Sequence, residues 1–204
     1  NIRPITTATP KTFINYNLTA NQGDYLIISN PVLYNDGNGN NYVNQYRQYR
    51  STAAGGGFTA KVIDIDELYD QFAFGILQHP SAIRDFIRFA YRQFASRPQY
   101  VLLIGRGVAS IDYKKNEANP DMNKIEMVPT FGWPASDVLL ACDPGTNVPL
   151  IPIGRLSAIN GNEIKNYLNK VIEYELVQTS PNCSIVGKEW MKRVLHVVGG
   201  ANSS

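Results

Sequence analysis

The chain has 204 residues, enough for one sizeable domain or two small ones. Apolar residues make up 44%, an ordinary globular fraction, and the formal net charge of +2 is too small to point to a nucleic-acid partner. No run approaches the roughly 18 apolar residues that a membrane-spanning helix needs.

Both ends read as cut: the chain opens on Asn1 without a signal peptide and stops at Gly199-Gly200-Ala201-Asn202-Ser203-Ser204, directly after an apolar run. Residues 1–22 are polar and aperiodic, and read as a linker or the tail of a preceding domain. Residues 23–204 read as one unit. Asp24 to Ser29 is an apolar strand stopped by Asn30-Pro31. Asn35 to Asn41 is a loop dense in turn formers.

From Tyr42 the pattern becomes helical, with Tyr42, Tyr46 and Tyr49 on one face and Gly55-Gly56-Gly57 as its end. Ala60 to Ile65 is a second strand. Asp66 to Asp70 is a short helix with its acids at the positive end of the dipole. His79-Pro80 opens the clearest helix, with His79 as its cap and Pro80 in its first position. Ile83, Phe86, Ile87, Ala90 and Phe94 form its apolar stripe; Arg84, Arg88 and Arg92 lie opposite. The helix stops before Pro98.

Tyr100-Val101-Leu102-Leu103-Ile104 then runs apolar without interruption into Gly105, as a strand buried on both faces does. Residues 106–149 are irregular and hold five of the twelve prolines. Leu150 to Gly154 is a short strand whose Pro152 assigns it to a sheet edge. Asn160 caps a last helix with Glu163 as its reciprocal partner, and Ile164, Tyr167, Leu168, Val171 and Ile172 form the buried face. Val194 to Val198 reads as a final strand. Strands alternating with helices predict an α/β fold: a mostly parallel sheet flanked by helices, with Tyr100 to Ile104 at its centre. There is no internal repeat.

Functional groups gather at the carboxyl ends of such strands, which directs attention to Gly105-Arg106-Gly107. Its backbone amides could cradle a phosphate, but Ser110 stands where a dinucleotide fingerprint needs a third glycine, so a tight turn is the plainer reading. Ala141-Cys142-Asp143 looks locally like a cysteine nucleophile, yet a thiolate needs a base. The only histidines are His79, at a helix cap, and His196, inside a strand. Cys142 therefore reads as structural. Cys142 and Cys183 define no disulfide framework; one bridge and two free thiols both remain open.

Asp36, Asn38 and Asn40 alternate as in a calcium loop, but Asn41 replaces the required glycine and Arg47 the closing glutamate. Asp112, Asp137 and Asp143 are oxygen donors that would suit a structural cation such as calcium. The Arg84, Arg88, Arg92 stripe reads as a solvated face, or as a dock for an acidic partner.

Taken in order, Asp24 to Ile28 followed by a Tyr-Arg-rich helix, Ala60 to Tyr69, Ala82 to Ile87, Tyr100 to Gly105, Val128-Pro129-Thr130, Ser136-Asp137, Ile151 to Leu156, Lys170 to Glu175 and Trp190 with Val194-Leu195 resemble the gingipain family of cysteine peptidases. The resemblance is closest to relatives of the type IX secretion sortase. It implies a caspase-like fold of two subdomains, of which residues 23–204 are the amino-terminal one. It implies peptide-bond hydrolysis by a His–Cys dyad, export, and display at the cell surface.

The family's Gly-His-Gly histidine and its cysteine lie downstream of the segment matched by Trp190 to Gly200. No catalytic residue and no cofactor is therefore assigned within the chain, which alone is expected to be silent. Its expected partners are the downstream subdomain and a protein or peptide substrate. Many relatives carry aspartate where this chain has Arg106, which exchanges an acceptor for a cation. That departure favours the rival reading, a non-catalytic surface or secretion-assembly module. A flavodoxin-like ligand-binding domain is a weaker third, because Pro31 removes a donor where a phosphate loop needs one.

Overall fold

A computed structural model describes residues 10–116, 118–179 and 184–195. Four strands form a wholly parallel sheet: β1 (Tyr25–Ser29), β2 (Ala60–Asp64), β3 (Tyr100–Ile104) and β4 (Ile153–Leu156). Their order is β2-β1-β3-β4, so β1 and β3 are interior. Tyr25 pairs with both Ala60 and Tyr100, and this register carries Leu26, Ile27 and Ile28 past Val101, Leu102 and Leu103. All of these but the flanking Tyr100 are buried, as an apolar run with no polar alternation requires. Among the described residues β4 sits at the edge, and it begins just after Pro152, whose carbonyl still accepts from the Val101 amide.

The helices are α1 (Tyr42–Arg50), α2 (Ile65–Phe72), α3 (Ser81–Gln93), two short ones, α4 (Ser110–Lys115) and α5 (Met122–Ile125), and α6 (Gly161–Thr179). Helix α1 packs with α6, and α2 with α3. The chain crosses from β1 through α1 to β2 and then back past β1 through α2 and α3 to β3; right-handed connections, the rule for such parallel units, put these pairs on opposite faces. The α3 stripe lies as expected: Ala82, Ile83, Phe86, Ile87 and Ala90 are fully buried. On the other face Arg50 stacks over the rings of Tyr25, Tyr46 and Tyr49 and pairs with Glu175 at 2.8 Å, which ties α1 to α6.

Several boundaries differ from the sequence reading. Helix α1 ends at Arg50, before the glycine run, and Pro80 precedes α3 rather than occupying its first position. The His79 ring does cap α3, accepting from the Ser81 amide at 3.2 Å. Asn160 and Glu163 cap α6 reciprocally, at 3.0 and 3.1 Å. Ile172 is not on the buried face; it is exposed.

The segment 106–149 is not wholly irregular, since α4, α5 and a 3-10 turn at Val138–Ala141 lie in it. Helices this short carry no full hydrophobic period, so no pattern announces them. Residues 10–22 lie on the domain: Tyr16 is buried against Phe72 and Phe86, and Glu67 accepts the Ile14 amide at 2.7 Å. Val194 and Leu195 are exposed and outside any strand, while residues 196–198 of the expected last strand lie outside the described residues.

Candidate functional site

The strand order reverses between β1 and β3, so the crevice beyond Ser29 and Ile104 is where an open parallel sheet takes ligands. Here the chain fills it. The Ser29 hydroxyl donates to the Ile104 carbonyl at 2.9 Å, and the Asn30 side-chain amide donates to the Met127 carbonyl at 3.0 Å. Met127 and Val128 are buried over the strand ends. Gly105 has φ +139°, and a Cβ there would lie 2.9 Å from Val128 Cγ2, so only glycine lets the plug seat this closely.

The phosphate-cradle reading of Gly105-Arg106-Gly107 is overturned by the same contacts. The Gly105 amide donates to Leu156 and the Arg106 amide to Ala158, which leaves neither for an anion. The Arg106 carbonyl accepts from Met127 and Val128, so the turn is structural.

One guanidinium holds the plug. Arg155, on β4, donates through Nε and Nη2 to the two Asp137 oxygens at 2.8 and 2.7 Å. Nη1 donates to the Gly105 and Val128 carbonyls, each at 2.7 Å, and Nη2 also to Pro129 at 3.0 Å. All five donors of the group are committed. They join β3, β4 and the 128–137 turn, at whose tip Trp133 is largely exposed.

Beside this hub lies Glu126, 3% exposed. Its Oε2 has no hydrogen-bond partner among the described residues. Burial pushes this carboxyl up to about 7, against the pull of Arg155. The Tyr69 hydroxyl, close enough to feel Glu126, is likewise buried without a partner, and burial raises its pKa. Glu126 lines a cleft of about 300 Å³ between the loop before α3 and the 113–140 segment. Sequence reasoning missed Glu126 and the Arg155 hub. The available signal was an acid inside the apolar run Ile125-Glu126-Met127-Val128.

The other candidates resolve individually. Cys142 is buried, and its thiol donates to the Val138 carbonyl at 3.1 Å. His79 Nδ1 is engaged with the Ser81 hydroxyl at 2.7 Å. No nucleophile–base pair is formed by these two; His196 and Cys183 lie outside the described residues. The Asp36 carboxylate accepts the Asn38 and Asn40 amides and the Asn40 side chain, so the loop coordinates itself. The Asn40 hydrogen bonds hold Asp36 down to about 2. Asp112, Asp137 and Asp143 are not brought together: Asp137 serves Arg155, Asp143 pairs with Arg92, and Asp112 sits in the first turn of α4. Among the described residues no group of three or more His, Cys, Asp or Glu side chains is placed to hold a metal ion.

The arginine stripe is not simply solvated. Arg88 donates through Nε to the Cys142 carbonyl at 2.9 Å and Arg92 pairs with Asp143, so the stripe clasps the 138–143 segment to α3. Arg84 is held by its neighbour Asp85 at 2.8 Å.

A parallel α/β sheet covered on both faces, with its strand-end crevice closed by a long insert, defines the class of the domain. A sequence model of peptidase family C25 matches residues 18–204. The chain belongs to that family, the gingipain family of cysteine peptidases. The four-stranded sheet agrees with its caspase-like domain. No curated protein and no solved structure matches the chain. Among the described residues no helix is long and apolar enough to cross a membrane.

Proposed function

We propose that this chain forms the amino-terminal wall of a gingipain-type cysteine peptidase, and that the His–Cys dyad lies downstream of it. The observation that carries the reading is the family match over 18–204 combined with a Cys142 that is buried beside a carbonyl and, among the described residues, has no base within reach. In the assembled domain histidine takes the cysteine thiol's proton, the thiolate attacks the scissile carbonyl, and the imidazolium gives that proton to the leaving amine. The described residues supply the scaffold: a rigid sheet whose crevice is plugged by Met127 and Val128. Apolar side chains left open on and after α6, among them Leu176, Val194 and Leu195, suit a face packed against a second subdomain. Export and surface display belong to the same reading and rest on family resemblance.

The test is a fluorogenic peptide library assayed with reductant. The 204-residue chain should give no turnover above buffer, and the chain extended through the downstream subdomain should cleave. Turnover by the short chain that vanished in Cys142→Ala would overturn the reading.

One observation favours a second reading, a non-catalytic surface module. Arg106 stands where many relatives carry an acid, and its guanidinium turns back to the Ile125 carbonyl at 3.4 Å. Absence of turnover in the extended chain, with a Gly-His-Gly or a cysteine lacking downstream, selects it.

A further inference from the structure

The chain carries the triplet Asn-Gly-Asn twice, at Asn38-Gly39-Asn40 and at Asn160-Gly161-Asn162. We propose that Asn38 is a site of spontaneous covalent modification, converted to isoaspartate and aspartate by its own backbone, and that Asn160 is protected from the same reaction.

The chemistry needs no partner but water. The Gly39 backbone nitrogen gives its proton to hydroxide and attacks Asn38 Cγ. The N–Cγ bond forms, the Cγ–Nδ2 bond breaks, and ammonia leaves with a proton taken from water. The product is a cyclic succinimide. Water then opens the ring on either side. Addition at the side-chain carbonyl gives aspartate; addition at the backbone carbonyl gives isoaspartate, whose main chain runs on through Cγ. In sum one water enters and one ammonia leaves. Both reacting groups belong to adjacent residues, so the rate is set by how freely they approach. Glycine on the carboxyl side puts no side chain in the way.

The two triplets differ in what holds the reacting groups. Asn38 and Gly39 are both exposed, and a Cβ at Gly39 would meet nothing within 4 Å. Side-chain oxygens hold four amides of this loop. Asn35 holds Gly37 at 2.8 Å, and Asp36 holds Asn38 and Asn40 at 2.8 and 3.0 Å. The Gly39 amide, the nucleophile, is the loosest of the four, 3.3 Å from Asn35 Oδ1. The Asn38 side chain has one partner among the described residues, a weak contact to the Asp36 carboxylate.

Asn160 is also exposed, so exposure alone does not separate the two. Its Nδ2 donates to the Glu163 carboxylate at 3.0 Å and its Oδ1 accepts the Glu163 amide at 3.1 Å, which fixes the group that must rotate. Gly161 is buried at the start of α6, where a Cβ would lie 2.6 Å from Asp36 Cβ. Asp36-Gly37 could cyclise in the same way, but the Asp36 carboxylate is ionised, a poor electrophile, and is tied to the Asn40 amide and side chain. Isoaspartate at 38 would add a methylene to the backbone between Asp36 and Asn40. Because Asp36 backs onto Gly161, the modification is placed to loosen the seat of the first turn of α6.

The test is to incubate the folded 204-residue chain in mildly alkaline buffer, with peptide mapping by mass spectrometry and a parallel assay of released ammonia. Asn38 should convert about tenfold or more faster than Asn160, where two hydrogen bonds must break first. Isoaspartate should exceed aspartate among the products. Glu163→Ala should raise the rate at Asn160 toward that at Asn38, and Asn38→Gln should remove the faster event. In urea the two triplets should converge. The proposal falls if Asn160 in the folded chain converts as fast as Asn38, if isoaspartate arises only at Asp36 without ammonia, or if the preference for Asn38 persists undiminished in urea. None of these readouts involves peptidase turnover.

Discussion

Strand β3 and the segment that follows it are neighbours in sequence and are held by different forces. Val101 to Ile104 lie between β1 and β4 with their side chains removed from water. Their attachment is backbone ladder and apolar burial, repeated residue by residue. Residues 106–149 have little such repetition. They are fastened at a few points by arginines from elsewhere: Arg155 on the plug, Arg88 and Arg92 on the 138–143 turn. Burial is distributed and tolerant; an arginine clamp is concentrated, and its loss is felt at once.

The largest expected effect is at the clamp. Arg155→Ala strands the Asp137 carboxylate and the Gly105, Val128 and Pro129 carbonyls, and should cost about 3–5 kcal/mol in urea unfolding. Arg155→Lys should recover little, since one ammonium cannot reproduce a five-donor fork. A loss below about 1 kcal/mol would show that the insert does not depend on this guanidinium.

Leu103→Ala, in the fully buried strand, should cost about 2–5 kcal/mol while leaving the insert's own contacts in place. Hydrogen exchange should then show uniform loosening of the sheet, against local opening of 106–149 in Arg155→Ala.

Glu126 sits where the two regions meet. Its folded pKa of about 7 lies above the ordinary 4.5, so the fold favours the protonated carboxyl. No penalty exists below the lower value; it grows as pH rises between the two and is complete above the upper one. Glu126→Gln should thus match the parent near pH 4 and exceed its stability near pH 8 by at most about 3 kcal/mol. A constant difference across that range would break the argument.

The smallest effect belongs to the half-exposed Arg92, whose pair with Asp143 is open to solvent. Arg92→Ala should cost under about 1 kcal/mol, and added salt should erase the difference.

The sheet was legible in sequence because periodicity records burial. Tyr100 to Ile104 and the α3 stripe each declare their environment along consecutive residues. That β4 is the outermost strand among the described residues agrees with the reading of Pro152. Arg155 was not, because an arginine buried by Asp137 and three carbonyls reads in sequence like any solvated arginine. Arg88 and Arg92 misled in the same way: their acceptors lie some 50 residues on, at Cys142 and Asp143. The asparagine-rich loop at 35–41 looked like a cation site because side-chain oxygens that cap backbone amides and those that ligate metals are spaced alike.

The placement of Trp133 has a practical consequence. The chain has two tryptophans, and both are peripheral: Trp133 is 77% exposed on the insert, and Trp190 is 45% exposed against Tyr174 beyond α6. Tryptophan emission therefore reports on the rim of the molecule and is nearly blind to the sheet. The sheet has its own chromophores in Tyr25, Tyr46 and Tyr100, which form ring pairs with one another and with Phe58. Near-ultraviolet dichroism in the tyrosine band would follow the core, so a melt recorded at both wavelengths separates detachment of the insert from collapse of the sheet in one sample.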